Sequence, residues 1–314
     1  PVSALEERRQ FVHARRGGRL GAPAGGAVGR RPGRRPLQEQ LLRLGAGADL
    51  TALRRSAAAR AGGRYPSPDE VAPRVPRGAL VLGGGGGMPP EIVRRFIELA
   101  GGPGALIAIV PSAMADPVPR NPGEERMFSR MGARKLVVLH GRTLEDIKAA
   151  RFEEVLSKAR GVWFCGGRQW RLVAAYAGTQ VERLFHGVLK RGGVIGGSSA
   201  GASIQSSYMV RGNPLGNIDA MAEGYEKGFG FLPGAAVDQH FSQRNRLPDM
   251  EGLVARVPQL LGIGLDVATA IIVAGAVAEV LGKHKAHFYY RDRRTRLGAG
   301  AYYHLGRRQE LPVR

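Results

Sequence analysis

The alternation of short apolar segments with segments of helical spacing, between residues 79 and 199, constrains the fold of this chain more than any other feature. The apolar segments are Ala79–Leu82, Ala105–Val110, Lys135–Leu139, Gly161–Cys165 and Gly193–Ile195. Apolar positions between them recur with the helical period, so a helix is predicted after each strand. Because strand–helix alternation favours a parallel sheet covered by helices on both faces, we expect an α/β fold with a mostly parallel sheet.

One of the intervening helices is predicted to run from Leu144 to about Ala159. Beyond Pro214 the alternation ends. The pattern there predicts a short helix at Met250–Val257, a hairpin of Ala270–Val273 with Ala278–Leu281, and a strand at Ala286–Tyr290. A hairpin adds antiparallel strands, so we expect a mixed edge to the sheet.

The first part of the chain differs in composition from the rest. Residues 1–76 are rich in Arg, Gly, Ala and Pro, and residues 1–77 hold 16 Arg and six acidic residues of a chain whose net charge is +21. We interpret residues 1–76 as a basic, low-complexity, poorly ordered extension and residues 77–314 as the globular domain. Few aromatic residues lie among the arginines, which argues against base stacking and against nucleic acid as the main partner.

Composition also limits the chemistry. A single cysteine, Cys165, excludes an internal disulfide and a cysteine metal cage, and it indicates a reducing, cytoplasmic setting. No apolar run is long enough to span a membrane. The glycine run Gly83–Gly87 follows a strand, but no register of it completes the G-x-G-x-x-G fingerprint of dinucleotide sites. We therefore expect neither a metal nor a cofactor.

The strongest local motif is the G-x-S-x-G sequence at Gly197–Gly201, between a short apolar strand and a helix-compatible segment. Small residues around Ser199 let the backbone turn sharply and raise the hydroxyl above the sheet. The N–H of Ala200 would then lie at the start of a helix, where it could stabilise an oxyanion. The alternative is a glycine- and serine-rich turn without chemistry.

A serine nucleophile needs a base, and His240 has the sequence context that fits best, with polar neighbours that could orient its ring. Gly166 and Gly167 follow a predicted buried strand and open a helix, a suitable place for backbone N–H donors. Arg244 and Arg246 could bind a carboxylate bidentately. The alternatives are a structural histidine and a solvated basic loop.

Four short motifs follow one another along the domain. They are Gly166-Gly167-Arg168-Gln169, Gly197–Ala202, Gly230–Phe241 and Gly262–Ala270. In sequence and order they resemble the cyanophycinase and aspartyl dipeptidase family of serine peptidases, and the similarity extends from about Gly78 to Leu281. The resemblance implies a three-layer α/β sandwich of the class I glutamine amidotransferase type.

The resemblance also implies roles for single residues in a Ser–His–Glu triad. Ser199 would be the nucleophile and His240 the general base. The backbone N–H groups of the oxyanion hole would come from Ala200, Gly166 and Gly167, and the substrate would be held by Gln169, Arg244 and Arg246. Family members hydrolyse bonds next to aspartate, and cyanophycinase releases β-Asp-Arg dipeptides from an arginine-decorated polyaspartate. Members often pair, so a homodimer is expected.

Two positions depart from the family pattern. Val267 occupies the place of the acidic triad member, and Arg168 replaces the aspartate of the Gly-Gly motif. Asp266 is adjacent to Val267, but on a regular strand it points to the opposite face, so it is only a candidate acid. Asp238 and Glu279 are further alternatives. Arg168 should favour acidic groups over arginine side chains in the substrate site.

The sequence therefore predicts a serine-type peptidase that cleaves next to aspartate through an acyl-enzyme, with β-Asp-Arg or cyanophycin-like material as candidate substrate. The alternative is a catalytically impaired relative that binds Asp-containing peptides in the same pocket. Val267 favours the binding protein, whereas Ser199 and His240 favour the enzyme. A third hypothesis is a polyanion-binding protein that uses residues 1–76.

Overall fold

The computed structural model describes Pro66 and residues 68–214, 216–222 and 224–312. Most of the predicted extension over residues 1–76 therefore lies outside the described residues. The predicted domain start at residue 77 falls inside the first strand, β1 (Val75–Gly83). The segment before β1 also contacts the domain, since Tyr290 donates a hydrogen bond of 2.9 Å to the carboxylate of Glu70. The folded region consequently begins upstream of the predicted boundary.

A nine-stranded sheet forms the centre of the domain. In chain order its remaining strands are β2 (Leu106–Val110), β3 (Lys135–Val138), β4 (Gly161–Phe164), β5 (Val194–Ser198), β9 (Thr269–Gly275), β10 (Val277–Gly282), β13 (Tyr302–His304) and β14 (Gln309–Leu311). The spatial order is β14-β13-β10-β9-β1-β5-β4-β2-β3. Strands β1, β5, β4, β2 and β3 pair in parallel, whereas β9, β10, β13 and β14 add an antiparallel half. The mixed edge is thus larger than the single predicted hairpin.

A second sheet of five strands was not predicted from the sequence. Its strands are β6 (Ser206–Tyr208), β7 (Leu232–Gln239), β8 (Leu261–Leu265), β11 (Ala286–Tyr290) and β12 (Arg293–Leu297), in the spatial order β12-β11-β8-β7-β6. Strand β7 pairs in parallel with β8, and its last residue, Gln239, comes directly before His240. This sheet therefore presents the predicted base.

The described residues contain eight α-helices. They are α1 (Pro90–Leu99), α2 (Gly123–Arg130), α3 (Leu144–Ala149), α4 (Phe152–Lys158), α5 (Gln169–Tyr176), α6 (Gln180–Lys190), α7 (Ala200–Ser203) and α8 (Leu247–Arg256). The single helix predicted from Leu144 to Ala159 is divided into α3 and α4, because Arg151 between them adopts a left-handed backbone with φ 56°. Within the described ranges, no helix has the length and hydropathy of a membrane span.

The core lies on both faces of the nine-stranded sheet, as alternate residues of β4 show. Trp163 packs edge-on against Phe96 of α1, with ring centroids 5.2 Å apart. Phe164 points to the other face and contacts Phe185 of α6 at 4.9 Å. Each fully buried phenylalanine stabilises the fold by about 1.5–3 kcal/mol relative to an exposed one. The α/β class with helices on both faces of a sheet is confirmed.

Candidate active site

Ser199 lies on a sharp turn between β5 and α7. Its backbone has φ 56° and ψ −115°, in a region that a residue with a Cβ rarely adopts. The flanking positions require glycine because the turn leaves no space for a side chain there. A Cβ on Gly197 would approach the carbonyl oxygen of Gly201 to 2.4 Å, and one on Gly201 would approach that of Phe164 to 2.0 Å. The Ser199 N–H donates to the carbonyl of Gly83 at 2.9 Å, which joins the turn to the end of β1.

The imidazole of His240 faces the Ser199 hydroxyl from the end of β7. The distance between Ser199 Oγ and His240 Nε2 is 3.0 Å, within the reach of a nucleophile and its general base. Ser199 Oγ also lies 3.3 Å from Gln239 Oε1. The backbone at His240 has φ 49°, and its N–H donates to the carbonyl of Gly84 at 2.7 Å. Both members of the pair therefore stand on strained turns that the start of the glycine run holds in place.

The glycine run that follows β1 packs against the base. A Cβ on Gly85 would come within 2.4 Å of the His240 ring, and one on Gly86 within 2.4 Å of Cγ1 of Val267. Only glycine leaves room for these contacts, so the run positions the histidine by close backbone approach. The contacts of the run with His240 were not foreseen, because they join residues far apart in the chain.

Positive charge surrounds the His240 ring. Burial, together with the nearby Arg244 and Arg246 guanidinium groups, lowers its pKa to about 4. The imidazole is therefore neutral at pH 7, the form that can accept a proton. In the described part of the chain, Ser199 is the hydrogen-bond partner of the ring, and no carboxylate contacts it.

Two backbone segments flank the Ser199 hydroxyl. Gly166 lies beside it, since a Cβ on Gly166 would be 3.7 Å from Cβ of Ser199. Gly167 has φ 138° and presses against the carbonyl of Ala113, where a Cβ would come to 2.1 Å. Ala200, which follows Ser199, is the first residue of the single-turn helix α7. Gly166 therefore lies next to Ser199 in space, Ala200 follows Ser199 in the chain, and Gly167 continues the turn of Gly166.

Comparison with known proteins agrees with this arrangement. The model of the family described as "Peptidase family S51" matches residues 79–281, which contain Ser199, His240 and Gly166. The chain belongs to peptidase family S51. It is similar to the cyanophycinases of Geminocystis herdmanii, at 35% identity over 62% of this chain and 72% of the relative, and of Nostoc, at 34% identity over 62% and 66%.

A solved peptidase structure supports the fold. The crystal structure of a peptidase from an acI-B1 actinobacterium superposes with a TM-score of 0.56 at 22% identity, and covers 73% of this chain and 97% of that chain. At this identity the likeness concerns the fold alone. It agrees with the α/β sandwich described above.

The candidate acid of this S51 chain, Asp266, lies away from His240. Its carboxylate accepts hydrogen bonds from the N–H groups of Ser242 at 2.9 Å and Lys285 at 3.2 Å, and Nε2 of His287 is 3.3 Å away. Although burial acts to raise it, the pKa of Asp266 is held well below its usual range by the hydrogen bonds with His287 and Ser242. Asp266 and Val267 follow the end of β8 at Leu265, so the strand alternation expected from the sequence does not apply to them. The carboxylate of Asp266 supports this turn, and it has no hydrogen bond or ion pair with His240.

The other two alternatives for the acid are also engaged elsewhere. Asp238 is buried and forms ion pairs with Arg211 and Arg246, at 3.0 and 2.8 Å. Glu279 lies on β10, 3.7 Å from Arg95 of α1. None of these acids contacts His240, and Val267 occupies the triad position with an apolar side chain.

Two residues expected to bind substrate have internal partners instead. Arg246 is 3% exposed, and its Nη1 donates to Asp238 and to the carbonyl of Gln239. Gln169 is equally buried, and its amide donates to the carbonyl of Val210 at 2.7 Å. Their positions suit a supporting role, because a buried donor that already has a partner gains little from a second one. Arg244, at the end of a 3-10 turn, is exposed.

Proposed function

We propose that this chain is a serine-type peptidase of the cyanophycinase-like class that cleaves next to aspartate through an acyl-enzyme on Ser199. The observation that carries the proposal is the 3.0 Å hydrogen bond between Ser199 Oγ and His240 Nε2. Ser199 lies on a turn that leaves no room for a side chain at Gly197 or Gly201. The names of the similar relatives, all cyanophycinases, support the class of substrate.

In this mechanism Ser199 Oγ attacks the carbonyl carbon of the scissile bond while its proton passes to His240 Nε2. The tetrahedral oxyanion accepts hydrogen bonds from the N–H groups of Ala200 and of Gly166 and Gly167. The imidazolium then gives its proton to the leaving amine, and an ester remains on Ser199. His240 then takes a proton from a water molecule, whose oxygen attacks the ester carbon. The tetrahedral intermediate collapses as its bond to Ser199 Oγ breaks, the imidazolium returns the proton to Oγ, and the carboxylic acid product leaves.

The proposed mechanism lacks a triad acid. No described carboxylate accepts from the His240 ring, and the cations nearby disfavour the imidazolium. Removing the acid from a related triad costs about 10⁴ in rate, yet a serine and a histidine alone retain substantial catalysis. We therefore expect slow turnover.

A second candidate function follows from the same observation. A protein that keeps the pocket but has Val267 in place of the acid could bind Asp-containing peptides without cleaving them. The absence of a carboxylate partner for His240 among the described residues favours this candidate. The intact Ser199 turn favours the enzyme.

Hydrolysis of a peptide panel separates the two candidates. The panel contains α- and β-aspartyl peptides, with and without arginine, and soluble cyanophycin. We expect the wild type to release product and Ser199→Ala to release none. Ser198→Ala, which removes the neighbouring hydroxyl, is the matched control and should retain turnover. No turnover above the Ser199→Ala background for any substrate, together with retained peptide binding, would reject the peptidase in favour of the binding protein.

A further inference from the structure

Arg168 stands beside the nucleophile on a rigid turn. It follows Gly166 and Gly167, and its own N–H donates to the carbonyl of Ala113 at 2.8 Å. Because Gly167 is pressed against that same carbonyl, the turn is fixed to the segment that follows β2. Gly166, two residues before Arg168, lies against Ser199. The backbone of Arg168 thus has a fixed place at the edge of the site.

The guanidinium of Arg168 is incompletely satisfied. Nη2 donates to the carbonyl of Asn213 at 3.0 Å. Nε is buried and has no hydrogen-bond partner. Across the described ranges, no carboxylate lies within ion-pair distance of Arg168. A partly buried cation without a counter-charge among the described residues is costly, and an anion bound from solution would offset this cost.

The charges around Arg168 have the same sign as its own. Burial, together with the neighbouring Arg171 and Arg244, lowers its pKa to about 10. Arg168 is still protonated at neutral pH. Arg171 is buried and donates to the carbonyl of Ala113 at 3.1 Å. These like charges add to the cost of keeping Arg168 charged, and an anion bound by its guanidinium would offset that cost.

We propose that Arg168 binds a substrate carboxylate next to Ser199, so that the substrate class is a peptide with an acidic residue adjoining the aspartate at the scissile bond. The planar fork of a guanidinium matches the two oxygens of a carboxylate. An arginine side chain at the same place in the substrate would meet like charge. The choice of a peptide substrate rests on the proposed function, whereas the carboxylate subsite at Arg168 rests on its own contacts.

A binding measurement tests the subsite without turnover. The full chain with Ser199→Ala is titrated calorimetrically with three aspartyl peptides that differ only in the residue next to the aspartate, which is Glu, Gln or Arg. We expect the Glu peptide to bind about tenfold tighter than the Gln peptide, and the Arg peptide to bind most weakly. Adding Arg168→Asp should reverse the order of the Glu and Arg peptides. Adding Arg168→Gln should make the three alike.

Arg183→Asp on the exposed surface of α6 is the matched control, since it changes the net charge equally and should leave the order of affinities unchanged. The proposal is overturned if the Glu peptide binds no tighter than the Gln peptide, if Arg168→Asp keeps the wild-type order, or if no peptide binds. If the order reverses but the wild type cleaves none of the peptides, the subsite stands and the peptidase is rejected. If cleavage is found without any dependence on Arg168, the peptidase stands and the subsite is rejected.

Discussion

Two serine–histidine pairs lie just beyond the ends of strands, and they differ in what surrounds the hydroxyl. Ser199, Ser112 and His140 follow strands of the nine-stranded sheet, whereas His240 follows β7 of the five-stranded sheet. Ser199 Oγ is 3.0 Å from Nε2 of His240. Ser112 Oγ, after β2, is 2.9 Å from Nδ1 of His140, after β3. Burial is the largest cause of the lowered pKa of both histidines. By distance and by the direction of the pKa shift, the pairs are alike.

The two pairs differ in the solvent exposure of the serine and in its backbone conformation. Ser112 is completely buried, and its hydroxyl also bonds to the phenol of Tyr176 at 2.6 Å. Ser199 is partly exposed on a turn with positive φ, and the backbone of Gly166 lies beside it. A serine–histidine hydrogen bond is therefore insufficient to mark a nucleophile. A reacting carbonyl must also reach the hydroxyl and find N–H donors there.

Replacing each histidine in turn should produce the largest difference in kcat between the two pairs. We expect His240→Gln to lower kcat on the order of 10²-fold, which is about what remains of a triad once its acid is lost. His140→Gln, the matched change in the buried pair, should leave kcat within about twofold if the protein stays folded. Steady-state kinetics on the peptide cleaved by the wild type would measure both. Equal losses in the two variants would contradict the assignment of His240 as the base.

Restoring an acid should sharpen the difference between the pairs. We expect Val267→Glu to raise kcat about tenfold, because a carboxylate beside His240 stabilises the imidazolium. Val267→Gln, of the same shape but uncharged, is the control and should give no gain. If Val267→Glu leaves kcat unchanged while circular dichroism shows a native fold, the relation between this position and His240 is not that of a triad.

The acid limb of the pH profile should report the charge around His240. The base must be neutral, and with a pKa near 4 it stays neutral well below the usual histidine range. We expect kcat/KM to be constant from pH 7 to about pH 5 and to be halved near pH 4. Arg244→Gln removes one cation and should move this limb to higher pH. A midpoint near 6.5 in the wild type, with the fold intact by circular dichroism, would contradict the lowered pKa.

The smallest effect is expected from the buried pair and concerns stability. Ser112→Ala removes the hydroxyl that links His140 and Tyr176 and leaves their buried polar atoms without that partner. We expect a loss of about 1–3 kcal/mol in the free energy of unfolding, with kcat unchanged. Ser157→Ala, at an exposed position of α4, should change stability by less than about 0.5 kcal/mol. Urea denaturation measures both, and a loss of activity in Ser112→Ala at full stability would point to a catalytic role for that pair.

The sequence predicted most of the parallel half of the sheet and the local shape of the nucleophile turn. Both follow from short-range physics, since apolar periodicity marks strands and helices and small residues permit the turn at Ser199. It assumed a regular strand at Asp266 and Val267, whereas β8 ends at Leu265. It did not predict the division of the helix at Arg151 or strand β7, whose small and polar residues, such as Gly234 and Asp238, obscure the strand pattern.

What the sequence by itself determined is the family, the α/β class and the pair Ser199 and His240, because motif order and periodicity are properties of the chain. The tertiary structure alone decided which charged side chains already have partners within the protein. It paired Asp266 with Ser242 and Arg246 with Asp238, and left the guanidinium of Arg168 without an acidic partner among the described residues. The physical reason is that ion pairs and close glycine contacts join residues distant in sequence, and only the folded chain brings them together.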